Sequence, residues 1–179
     1  MKLEFQKRGY GAIIILSLSV ILATVYYYLG GFEEVKVYKL APETKVIAGK
    51  YYYTKYSDRA PQEHFDRCIA LILSEDVKGV MTTVDYLPDT LDEKMRMQFI
   101  GITLDQQMAE IPAGFEVREY TSKERFVASL SMNPMVRPRI PSIENMLKEA
   151  AEEADFKLKD YFIRLRYPDN SVQIEGWIE

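Results

Sequence analysis

Arg59-Ala60-Pro61-Gln62-Glu63-His64-Phe65 and Arg139-Ile140-Pro141-Ser142-Ile143-Glu144-Asn145 are the stretches on which the fold turns, and they lie 80 residues apart. In each, proline sits where it suits the first turn of a helix, because its missing N–H would be unpaired there anyway. Behind Pro61, residues Phe65, Ile69, Ile72 and Leu73 recur at helical spacing. Behind Pro141, residues Ile143, Met146, Leu147, Ala150 and Ala154 do the same, with Glu144, Lys148 and Glu152 opposite. Working outward, β-rich runs follow at 80–86 and 161–167, and Pro88-Asp89 and Pro168-Asp169 close them as turns. The spacing from first to second proline is 27 in both copies. Second strands are expected at 95–104 and 172–178, and strands before the helices at 35–40, 46–56, 115–121 and 125–132. Lys45-Val46-Ile47-Ala48 also aligns with Arg125-Phe126-Val127-Ala128. Any one match is cheap; the shared order is the argument. It predicts an α+β fold of duplicated βαββ units, about 35–105 and 110–179, forming an antiparallel sheet with two main helices on one face.

The chain has 179 residues and a formal net charge of −4, but the charge is unevenly placed. Residues 1–31 carry three basic groups and one acidic, whereas residues 32–179 carry 20 basic and 26 acidic. An acidic domain without a basic run does not suit nucleic acid, whose binding draws on clustered Lys and Arg. One cysteine, Cys68, excludes an internal disulfide framework and a cysteine-rich zinc site; one histidine, His64, leaves little for a His-based metal site or a Ser-His triad. No cofactor or metal is expected.

From Gly11 to Leu29 run nineteen residues without a charge, ten of them Ile, Leu or Val. As a helix they would span roughly 28 Å, and the ten aliphatic residues would favour insertion by about 3–6 kcal/mol. Residues 1–10 then form a basic flank, 11–29 a transmembrane anchor that makes membrane the first partner, and 30–34 a linker. A cleaved signal peptide competes, yet Ala23-Thr24-Val25 offers a poor cleavage site and Tyr26, Tyr27 and Tyr28 are bulky. The expectation is a single-pass membrane protein with its N-terminus cytoplasmic and its domain outside.

The domain resembles the GyrI-like family, the effector-binding fold of bacterial transcription activators. The residues that carry this are Lys45-Val46-Ile47-Ala48, the helix after Pro61, Met97-Gln98-Phe99-Ile100-Gly101-Ile102, Ile111-Pro112-Ala113-Gly114-Phe115-Glu116-Val117, and the segments 161–168 and 174–178. The resemblance implies two βαββ units around a hydrophobic pocket for small molecules, often aromatic and cationic. Family members place a pocket glutamate and tyrosine in the strand after the second helix. Counting back from Pro168, those positions fall on Phe162 and Arg164, so that carboxylate does not transfer.

Strand alternation groups Tyr161, Ile163, Leu165 and Tyr167 as an apolar face expected under the helices and Phe162, Arg164 and Arg166 as the other, which the resemblance assigns to the pocket side. Gln173, Glu175 and Trp177 alternate with Val172, Ile174 and Ile178 in the last strand, so Glu175 is expected to pair with Arg164. Tyr51 and Tyr53 share a face and could wall an aromatic site. The ligand-binding candidates are therefore Tyr51, Tyr53, Phe162, Arg164, Glu175 and Trp177. Against them stand ordinary strand packing for the tyrosines and a solvated sheet face for Arg164 and Arg166. A haem-binding branch of related fold would make His64 an axial ligand, but no Met or Cys partner is argued by spacing. Cys68 reads as a small buried hydrophobe, and Glu93, Glu110, Glu119 and Glu124 form no facing pair.

The leading expectation is a membrane-anchored domain binding a small aromatic or amphipathic ligand, with no catalytic residue assigned. Two alternatives stand beside it: a hydrolase of small reactive electrophiles using Glu175 with Tyr53, suggested by fold analogy alone, and a protein-interaction module whose sheet centre is filled by Phe162, Trp177 and the tyrosines, its protein partner unknown.

Overall fold

The computed structural model describes residues 2–104 and 111–179, with side chains described from Ile13 onward. The chain divides into two compact units, residues 1–34 with 131–137, and residues 35–130 with 138–179.

The first unit is built on helix α1 (Lys2–Tyr28). Its end is closed by hydrogen bonds from the amides of Leu29, Gly30 and Gly31 to the carbonyls of Val25, Tyr27 and Tyr26, with Gly30 at φ 80. That left-handed turn suits glycine, as at many helix C-termini. Phe32 then meets Tyr26 edge-on at 5.0 Å. The Asn133 amide donates to the Leu29 carbonyl at 3.0 Å, and the Ser131 hydroxyl to Glu33 at 3.0 Å.

This helix corrects two expectations, a transmembrane anchor over 11–29 and a single-pass membrane protein. Among the described residues no helix is long and apolar enough to cross a membrane. The described side chains of α1 run from Ile13 to Tyr28, sixteen residues. Three of the sixteen are the terminal tyrosines, and three more are Ser17, Ser19 and Thr24, whose hydroxyls bond back to Ile13, Ile15 and Val20. The basic side chains of residues 1–10 lie outside the described ones.

The second unit carries β1 (Lys36–Leu40), β2 (Glu43–Lys55), α2 (Ala60–Leu73), β3 (Gly79–Tyr86), β4 (Met95–Leu104), β5 (Glu116–Ser122), β6 (Arg125–Leu130), α3 (Ile140–Glu153), β7 (Leu158–Arg166) and β8 (Val172–Ile178). All eight strands form one antiparallel sheet in the order β1-β6-β8-β7-β3-β4-β2-β5. Among the described residues the corrected fold class is thus an eight-stranded antiparallel sheet with three helices, none long and apolar enough to cross a membrane. Each half follows strand, strand, helix, strand, strand. The first strand of each half leaves its own half: β1 pairs with β6 and β5 pairs with β2, while β3 and β7 join the halves at the centre.

Register assigns the two sheet faces. Thr83 stands opposite Arg164 and Ile100; Arg164 stands opposite Ile174. Side chains directly opposite share a face, so Met81, Thr83, Asp85, Ile100, Phe162, Arg164, Arg166 and Ile174 lie together. Both helices cover this face. Cys68 of α2 packs with Tyr52, Val77, Met81, Ile100 and Ile102, and Lys148 of α3 sits over the Phe162 ring. The opposite face gathers Ile47, Val84, Phe99, Tyr120, Ile163, Leu165 and Trp177. Gly49 and Gly101 face each other on it, and a β-carbon on Gly101 would strike the Ala48 carbonyl oxygen, one on Gly49 the Ile100 carbonyl oxygen. The β2–β4 approach therefore requires glycine at both positions.

Candidate aromatic site on the face opposite α2 and α3

Six aromatic rings meet on the face opposite α2 and α3 because odd-numbered positions of β2, β4, β7 and β8 alternate onto it together with even-numbered ones of β3 and β5. Tyr51 and Tyr86 lie 6.0 Å apart, Tyr86 and Tyr161 5.9 Å, Tyr120 and Tyr161 5.6 Å, Phe99 and Tyr120 6.4 Å, and Tyr161 and Trp177 6.5 Å between centroids. Tilted and edge-on pairs at such distances are favourable beyond their buried area. Phe99, Tyr120 and Trp177 are buried, whereas Tyr51, Tyr86 and Tyr161 are half-buried and present ring surface.

Arg118 from β5 closes one end. Its guanidinium lies 4.6 Å from the Phe99 ring and 4.9 Å from the Tyr51 ring, and donates to the Tyr86 hydroxyl at 3.4 Å and to Glu116 at 2.8 Å. The Tyr86 and Tyr120 hydroxyls share a hydrogen bond of 2.6 Å. Burial raises the Tyr120 pKa, helped by the bond to Tyr86; burial, with Tyr86 beside it, pushes Tyr161 up to about 12. Both phenols are therefore neutral donors and acceptors at ordinary pH.

Glu175 closes the other end, with 0% exposure. Trp177 Nε1 donates to one carboxylate oxygen at 2.8 Å, and Gln173 Nε2 to the other at 2.7 Å. Lys45 Nζ lies 3.4 Å from Glu175 and 2.8 Å from Glu43, while Arg125 lies 3.6 Å from Glu175 and 2.6 Å from Glu43. Two acids and two bases balance in formal charge. Both carboxylate oxygens of Glu175 are thus engaged as hydrogen-bond acceptors. Among the described residues no group of three or more His, Cys, Asp or Glu could hold a metal ion.

The six sequence candidates are divided by the sheet. Tyr51, Glu175 and Trp177 share the aromatic face, with Tyr53 on the same alternation but 53% exposed at its rim. Phe162 and Arg164 lie on the other face, under the helices, which reverses the expected orientation of β7. The expected Glu175–Arg164 pair is absent for the same reason: Ile163 stands opposite Glu175, and Arg164 instead pairs with Asp85. The physical cause is that the Tyr161-Ile163-Leu165-Tyr167 row is covered by other aromatic side chains and not by α2 or α3. Tyr86, Tyr120 and Arg118 escaped sequence reasoning, although the alternation of Tyr86 with Asp85 in β3 carried a usable signal.

His64 and Cys68 lie together on the buried side of α2, 3.7 Å apart. Burial lowers the His64 pKa against an opposing backbone hydrogen bond with Ile100, and burial pushes the Cys68 thiol up to about 12. Tyr52 and Phe115 enclose the imidazole at 5.7 and 4.9 Å. His64 is thus a neutral core residue and Cys68 an inert thiol. Glu110 lies outside the described residues.

No family model and no curated protein matches the chain. Solved structures do. SAV2435 bound to tetraphenylphosphonium is 14% identical over 82% of this chain and 94% of that one, with a TM-score of 0.48. A putative bacterial transcription regulation protein from Staphylococcus aureus MU50 is 15% identical over 82% and 98%, TM-score 0.42. A hydrolase from Listeria innocua is 6% identical over 82% and 92%, TM-score 0.48. Each is a distant likeness.

Proposed function

We propose that this chain is a GyrI-like small-molecule-binding domain whose ligand lies against the aromatic face. The observation that carries this is the row Tyr51, Tyr86 and Tyr161, half-buried over Phe99, Tyr120 and Trp177, with Arg118 at one end and Glu175 at the other. A planar apolar ligand can exchange water for ring contacts along this row without breaking a hydrogen bond. Arg118 and the phenol hydroxyls supply orientation. Because Glu175 is paired with Lys45 and Arg125, it leaves this end of the row without an unpaired charge to demand a cationic ligand. The fit is to an amphipathic aromatic molecule with an acceptor that reaches Arg118 or Tyr86.

Trp177 is the single tryptophan and touches Tyr161, so it reports on this face. A panel of aromatic cations, anions and neutral compounds, titrated against the full chain, should include members that change Trp177 fluorescence and raise Tm by mass action. Tyr86→Ala and Tyr161→Ala should each weaken them, since a stacked ring contributes about 0.5–1.5 kcal/mol beyond its area. Fluorescence and Tm unmoved across all three classes would sink the proposal.

A further inference from the structure

The helix-covered face holds a depression of its own, about 270 Å³, beside α2. Its polar lining is Gln62, Thr83, Arg96, Gln98, Arg164 and Arg166, and none of the described residues lining it is a carboxylate. Pro61, Phe65 and Ile100 give it an apolar wall. Thr83 and Arg164 point to the face opposite Val84 and Ile163, so this cleft and the aromatic site lie on opposite sides of the sheet.

The arginines are positioned before any ligand arrives. Arg96 donates one Nη to the Asp58 carbonyl at 2.6 Å, fixing its fork at the cleft. Arg164 donates to Asp85, which Gln98 also holds at 2.5 Å. Arg166 lies over the Phe65 ring at 5.6 Å. The Nε groups of Arg96 and Arg164 are buried and, among the described residues, have no hydrogen-bond partner. A buried N–H without an acceptor is unfavourable and uncommon in folded proteins. Asp85 neutralises one of the three cations, and Glu144 approaches from α3 near Asp85 and Arg164. Arg96 and Arg166 have no ion-pair partner among the described residues.

We infer that this cleft is a second ligand site, for a small phosphate monoester or free phosphate. Guanidinium forks match tetrahedral oxyanions in charge and geometry, Thr83 and Gln98 add neutral hydrogen-bonding groups, and the Phe65–Ile100 wall takes a small organic substituent. It does not rest on the aromatic site.

The test uses the full chain with inorganic phosphate and phenyl phosphate, each against sodium chloride of equal ionic strength. Phosphate should raise Tm relative to chloride and shift the Arg96 and Arg164 Nε–H resonances in ¹⁵N NMR. Arg166 is exposed, so Arg166→Gln should fold normally and bind about tenfold more weakly or worse, the loss of a charge-assisted contact. Arg96→Gln should do the same, and if it fails to fold, Arg166→Gln decides alone. Lys78→Gln removes an equal charge at an exposed site outside the cleft and should leave binding unchanged. Phenyl phosphate binding better than phosphate identifies the monoester as the ligand; the reverse identifies the free ion. No phosphate-specific stabilisation at tens of millimolar, unmoved Nε–H signals, or equal losses in Lys78→Gln and Arg166→Gln would each overturn the inference.

Discussion

Replacing Glu175 by glutamine tests the electrostatic core of the aromatic face with almost no change in volume. A glutamine oxygen can still accept from Trp177 Nε1, now at 2.8 Å, so the ring keeps its partner. What disappears is the charge facing Lys45, which is 6% exposed, and Arg125, whose side chain is 13% exposed. Glu43 then faces two cations alone, with its own side chain 33% exposed. Breaking a buried pair by removing one partner costs about 3–5 kcal/mol, because an uncompensated charge remains. Against a total of about 5–15 kcal/mol for ordinary domains, that is a large fraction. Urea denaturation followed by Trp177 fluorescence should give a midpoint far below wild type with an unchanged slope. Lys45→Met in the same chain removes the stranded cation, so the double variant should recover part of the loss. A Glu175→Gln cost below about 1 kcal/mol, the range of an exposed surface pair, would refute the claim of a buried, mutually dependent network, as would strict additivity of the two substitutions.

Three further outcomes follow from the geometry. The His64 pKa is lowered from 6.5 in the folded state by burial, so the unfolded chain binds more protons just below that value; stability is fully present above pH 6.5 and falls as pH drops toward the folded pKa, and His64→Phe should remove that part of the slope in urea midpoints measured from pH 5 to 8. Gly101→Ala drives a β-carbon into the Ala48 carbonyl and should cost about 1–3 kcal/mol, read as a lowered Tm. Cys68, buried with its thiol pushed up to about 12, should react with a thiol reagent only as fast as the chain opens, so labelling at native-state rates typical of free cysteine would contradict its placement on the buried side of α2.

The helices were legible because Pro61 and Pro141 mark their starts and the apolar residues behind them keep a helical period; α2 and α3 begin at Ala60 and Ile140. The exchange of β1 and β5 between halves was not, since a strand's partner depends on register and not on its own sequence. Lys36–Leu40 pairs with β6 and Glu116–Ser122 with β2, and nothing local in either stretch names that neighbour. The last strand was readable: apolar Val172, Ile174 and Ile178 suit the helices and leave Glu175 and Trp177 opposite. In β7 the same reasoning failed, because both faces contain large apolar groups. Tyr161, Ile163 and Leu165 look like helix-facing residues by hydrophobicity alone, and only the pairing of Ile163 with Glu175 and Val84 puts them on the aromatic side.

That reversal also separates the chemistry of the two faces. A sheet face without helices commonly alternates toward solvent, yet here Phe99 and Trp177 are fully buried within a cluster against which Tyr51, Tyr86, Tyr161 and Tyr167 pack. Tyrosine suits this position because its ring covers apolar neighbours while its hydroxyl finds another polar group, as Tyr86 and Tyr120 do for each other and Tyr167 does with Gln173 at 3.2 Å. Phenylalanine at Tyr86 would keep the ring row and lose the hydroxyl that Arg118 and Tyr120 share. If the hydroxyls orient a ligand, Tyr86→Phe should weaken compounds bearing an acceptor and spare purely apolar ones, measured by Trp177 fluorescence titration. Equal weakening of both classes would mean that Tyr86 acts by shape alone, and that the polar end of the row does not select its ligand.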